Sequence, residues 1–198
     1  MKSVVLALAT LVLVVVHIAC GGSKLPSRQD TWISPAYAKK KYENILVVAR
    51  LQEKKARAYV EKETVSYMKE RRIKGTAAID HVADFSAMPD SATLHKQLRD
   101  LGVDGAIVIN FLGKMKGVVT TSAYDGGFYS VFTPDMIPYD IETYGVSLAY
   151  VKVDFLNWDS PRSQFGTTVE IKLSNGRELA INELLVNTFR RLFDYKVL

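Results

Sequence analysis

Four side chains have the types that carry chemistry: the thiol of Cys20 and the group Asp80, His81 and Asp84. Asp80, His81 and Asp84 are the one cluster in the chain with plausible ligand or acid–base types. Neighbours on a strand point to opposite faces, so Asp80 and His81 act on one ion or ligand only where a turn begins. A strand end entering a polar loop explains the same residues without a site. His95 stands beside Lys96 on the expected wet side of a helix, and neither it nor His81 has a neighbour that marks a catalytic triad. There is no GxSxG elbow, phosphate loop, GxGxxG, HExxH or CxxC pattern. Asp154 and Asp159 are too loosely constrained to form a glycosidase pair. The reading is therefore of a protein without catalytic residues, cofactor or metal.

Cys20 is the single cysteine of 198 residues, and it closes an apolar run. Lys2 precedes residues 4–16, interrupted only by Thr10, and His17, Ile18 and Ala19 lead to Cys20. A basic start, about 7 to 15 apolar residues and small residues at the end make an export signal. A spanning helix needs about 20 apolar residues and would have to include His17, Cys20, Gly21 and Gly22. The segment Ile18, Ala19, Cys20, Gly21 resembles the lipobox of bacterial lipoproteins, with His17 where that pattern carries Leu, Val or Ile. The resemblance implies removal of residues 1–19 and acylation of Cys20. Gly21 in place of aspartate implies delivery to the outer membrane, with the domain in the periplasm. Ordinary cleavage nearby, leaving Cys20 free or removed, is the alternative. One acyl chain binds membranes marginally and each buried methylene adds about 0.8 kcal/mol, so three chains give lasting attachment.

Residues 20–31 read as a flexible tether, and residues 32–198 as one domain, large enough for its own core. Net charge is +5, but residues 23–72 hold 13 Lys or Arg against 6 Asp or Glu, while residues 73–198 hold 12 against 15. Lys39, Lys40 and Lys41 put positive charge just past the tether, suited to acidic headgroups or a wall polymer, or to a solvated face. Nucleic acid is excluded as a partner because the signal exports the chain.

The elements follow from period. Residues 44–51 are an apolar run of strand length. Residues 52–72 place Ala56, Tyr59, Val60, Thr64, Tyr67 and Met68 on one helical face, with Glu53 and Arg57 as an i, i+4 pair on the wet side and Gly75 as the stop. A strand is expected over 76–82. Asp90 or Ser91 then caps a helix with Leu94, Leu98 and Leu101 buried and Gly102 as its end, followed by a strand over 105–112. Residues 115–124 and 128–133 flank a hairpin turn at Asp125, Gly126 and Gly127. Residues 146–156 alternate Ala149, Val151, Val153 and Phe155 against a wetter face of Leu148, Tyr150, Lys152 and Asp154. A strand at 167–173 and a helix at 182–194 complete the chain, the helix burying Leu184, Leu185, Thr188, Phe189, Leu192 and Phe193. The class is α/β with an α+β tendency: a mixed sheet opening strand–helix–strand–helix–strand, an antiparallel second half, and a C-terminal helix on the sheet.

Residues 45–48, Arg57 and Glu61 on the following helix, residues 102–108 and Trp158 resemble domain-of-unknown-function lipoproteins of Gram-negative envelopes. Their α/β domain is similar to the amino-terminal domain of TolB and to the curli secretion lipoprotein CsgG. The resemblance implies an envelope role through a protein partner and a lipid anchor. CsgG also contributes barrel strands, but residues 115–124 lack the continuous apolar face a spanning strand needs and 128–133 are short. A periplasmic small-molecule or glycan-binding domain, hydrolytic or not, with its site at Asp80 to Asp84, is the second expectation.

Overall fold

The computed structural model describes residues 31–82, 90–113, 148–158, 160, 162–173 and 176–198. The signal, Cys20, Asp84, Asp159 and the expected hairpin at 115–133 lie outside them. One α/β domain is built on a six-stranded mixed sheet in the order β1-β6-β5-β4-β2-β3.

Ile45–Arg50 (β2) is central and buried from Ile45 to Ala49, as its unbroken apolar run requires. It pairs in parallel with Gly75–Ala77 (β3) and Gly105–Gly113 (β4). The connections are Lys54–Glu70 (α1) and Ser91–Asp100 (α2), and their apolar stripes enter separate cores on opposite faces of the sheet. Leu148–Asn157 (β5) and Ser163–Lys172 (β6) continue the sheet antiparallel, and Thr31–Ile33 (β1) closes it against β6. Arg177–Asp194 (α3) lies beside α1 over the first core, where Leu184, Leu185, Phe189 and Leu192 meet Val151, Val153, Phe155 and Phe165. Thr188 is buried with them, whereas Phe193, expected inside, turns outward.

Helix ends depart from expectation for local reasons. Glu53 is the N-cap of α1, accepting from the N–H groups of Lys55 and Ala56. It is therefore not the wet-side partner of Arg57, which points inward to Glu61. The stop is not Gly75 but Arg72, at φ 61. Gly75 instead opens β3, where an added Cβ would stand 3.0 Å from Met68 Cε. Asp90 caps α2 through the N–H groups of Ala92 and Thr93, and Gly102, at φ 70, ends that helix as expected.

The expected strand at 76–82 stops at Ala77 and becomes a 3-10 turn, Ala78–Asp80. The cause is Glu61: its Oε2 accepts the Ile79 N–H at 2.5 Å and its Oε1 the Ala49 N–H at 3.0 Å, drawing backbone groups onto α1. Strand β6 begins four residues earlier than expected, α3 five, and the edge strand β1 has no sequence signal of its own.

Candidate functional site

The 3-10 turn carries Asp80 to the surface, where it pairs with Lys62 at 3.5 Å. His81 is the residue after the turn and is also exposed. A turn does begin there, but both side chains stand in water, and Asp84 lies outside the described residues. Among the described residues no group of three or more His, Cys, Asp and Glu is arranged to hold a metal ion. Nor is any helix among them long and apolar enough to cross a membrane. His95 is not simply solvated: its ring stacks on Trp158 with centroids 4.7 Å apart, and Arg99 Nε donates to its Nε2 at 3.2 Å.

Buried charge is found elsewhere. Arg57 and Glu61, one turn apart on α1 and 2% and 0% exposed, meet at 2.8 Å. Burial pushes the Glu61 pKa up; Arg57 and the N–H groups of Ala49 and Ile79 pull it back. This carboxylate joins α1 to β2 and to the 3-10 turn, so it holds the Asp80 segment in place without facing a ligand.

The second buried group is on β5. Asp154 is 1% exposed, and its pKa is raised to about 6 by desolvation, against the pull of Lys152, Ser163 and Arg50. Lys152 Nζ stands 3.3 Å from Oδ2, and Ser163 Oγ is 3.3 Å from Oδ1. Gly166 makes the room: a Cβ on its backbone would meet Asp154 Oδ1 at 3.1 Å. The face expected to be wetter therefore holds a closed carboxylate. It can keep a proton at mildly acidic pH, but so little exposure gives a substrate no approach.

On the opposite face Arg191 of α3, 8% exposed, donates to the Thr168 carbonyl at 3.1 Å and to Thr167 Oγ1, which is 3.0 Å from Thr31 Oγ1. Desolvation lowers the Arg191 pKa, and Arg190 lowers it further. This guanidinium fastens the helix to β6 and, through Thr167, to the edge strand β1. Sequence periodicity held the clue, since Leu184, Thr188 and Arg191 follow the spacing of a buried helical face.

The outer side of α3 carries the other unexpected feature. Leu179, Val186 and Phe193 recur every seventh residue and are 59%, 41% and 40% exposed, and Tyr195 is 44% exposed just beyond. A seven-residue recurrence keeps them on one side of the helix.

No family model matches the chain, and no curated protein matches it. Among solved structures, the lipoprotein GNA1162 from Neisseria meningitidis is 12% identical over 76% of this chain and 98% of that one, with a TM-score of 0.40. The PelC dodecamer from Paraburkholderia phytofirmans is also 12% identical, over 78% of this chain and 90% of that one, with a TM-score of 0.39. At such values no role passes from either protein to this one.

Proposed function

We propose that the chain is a lipid-anchored envelope protein, held through Cys20 at the periplasmic face of the outer membrane. It acts without catalysis, through protein contacts in envelope assembly, transport or maintenance. The observation that carries this reading is the position of Cys20, closing a basic and apolar export signal and followed by a tether.

The geometry agrees in two respects. Thr31, the first described residue, begins an edge strand whose Thr31, Trp32 and Ile33 pair with Thr167, Gly166 and Phe165, and Arg191 braces that pairing from α3. A pull on the tether is thus resisted by β6 and a helix. The repeating apolar side chains on the outside of α3 suit a protein partner better than a small polar ligand.

Metabolic labelling of cells with a clickable fatty acid tests the anchor. Label is expected on the wild type and absent from Cys20→Ser. Equal labelling of both, or of neither, removes the anchor and with it the outer-membrane address.

A further inference from the structure

A cavity of about 160 Å³ lies where Leu51 and Phe111, at the ends of β2 and β4, meet the first turns of α1 and α3. Most of its wall is apolar, formed by Leu51, Ala56, Val60, Phe111, Ile171 and Ile181, and the polar part includes Tyr59 and Arg177. An engineered apolar cavity of about 150 Å³ admits benzene, so this one fits an apolar body of about six carbons.

Arg177 is the one charged side chain among the described residues that line the cavity. Arg177, the first residue of α3, lines the cavity, is exposed, and stands 5.8 Å over the Tyr59 ring. It makes no ion pair among the described residues. The N-cap of α3 is Gly176, which supplies no side-chain acceptor, whereas α1 is capped by the side chain of Glu53. The amide end of α3 and its macrodipole therefore add to the positive charge of Arg177. Glu178, exposed in that turn, offsets part of it.

We propose that this cavity binds a small carboxylate with an apolar body of about six carbons. The hydrocarbon fills the space between Val60, Phe111 and Ile181, and the carboxylate is held by Arg177 and by backbone N–H groups of the first turn of α3. Nothing in this depends on the lipid anchor or on a protein partner.

Calorimetric titration of the full chain in a nonionic detergent, with protein-free detergent as blank, tests it using hexanoate, hexanol and hexylamine. Hexanoate is expected to bind with a Kd of about 1 mM or tighter, and hexylamine not at all. Arg177→Gln, an exposed change that leaves the fold intact, weakens hexanoate about tenfold without altering hexanol. Glu178→Gln tightens hexanoate a few-fold. Ala180→Leu, which fills part of the wall, abolishes binding of hexanoate and hexanol alike. Absence of hexanoate binding at about 10 mM, equal binding of hexylamine, or an Arg177→Gln protein with unchanged affinity overturns the proposal. Loss of the lipid label in the Cys20 experiment has no bearing on any of these outcomes.

Discussion

The two faces of the sheet are made by the same strands and solve burial differently. Under α1 and α3, residues from β2, β4, β5 and β6 form one continuous apolar layer, from Ile45 and Val47 through Ile107 and Val153 to Phe165 and Ile171. On the other face the apolar layer among the described residues takes Leu46, Val48, Ala106, Val108 and Leu156 from the strands, joined by Ala78, Val82 and Val103 and covered by Leu94 and Leu98 of α2. Beyond it the register changes character: Arg50 aligns with Asn110, Asn110 with Lys152, and Lys152 with Thr168. Asp154 lies one step along the same face, opposite Gly166. Helix length is one physical difference. Ten residues make α2 about 15 Å long, while the eighteen of α3 reach about 27 Å. Among the described residues no long apolar helix covers that face, yet Asp154 is buried there with Lys152 and Ser163 beside its carboxylate.

The comparison breaks most visibly at Phe155. Its ring is fully buried in the apolar layer and meets Tyr42 edge-on at 4.8 Å. Phe155→Ala is expected to cost about 3–5 kcal/mol, through lost transfer energy and an unfilled cavity. Urea unfolding of the purified protein measures this; a cost under about 1 kcal/mol would mean that the layer relaxes freely and is not close-packed.

On the polar face the test is pH. Asp154 has a folded pKa of about 6, above its ordinary value of 3.8, so between those values the native state holds a proton that the unfolded chain releases. Stability therefore falls as pH rises from about 4 to about 6 and is level in this respect above that. The size is about 3 kcal/mol at one pKa unit per 1.4 kcal/mol. Asp154→Asn is expected to flatten that interval while leaving the Phe155→Ala cost unchanged. If wild type and Asp154→Asn show the same slope, the carboxylate is solvated in solution and the contrast between the faces disappears.

How legible each face was in the sequence follows from the same contrast. Apolar alternation in β5 marked Ala149, Val151, Val153 and Phe155 as inward-facing, and they are. The polar residues between them were read as wet because a polar type is ordinarily an exposed one. Asp154 is buried because distant Gly166 leaves room for it and Ser163 and Lys152 partner it, and no local pattern records such a meeting. The same holds for Arg57 and Glu61: their i, i+4 spacing was visible, but the Ala49 and Ile79 N–H groups that draw Glu61 inward were not. Asp80 and His81 were singled out by type, whereas the structure singles out Arg177 and the apolar wall around it, residues unremarkable one by one.

The smallest expected effect lies outside both layers. On α3, Leu184 is fully buried, and Val186, two positions on, is 41% exposed in the stripe with Leu179 and Phe193. If that stripe is bare in the isolated protein, Val186→Ser removes a side chain already largely in water, and unfolding free energy changes by no more than about 0.5 kcal/mol. The cost is also independent of protein concentration. A cost above about 1 kcal/mol that grows with concentration would mean that copies of the chain cover the stripe for one another, because stabilisation by a partner follows mass action. The outer side of α3 would then be a third buried apolar surface, made only on association, rather than a free face available to a different protein.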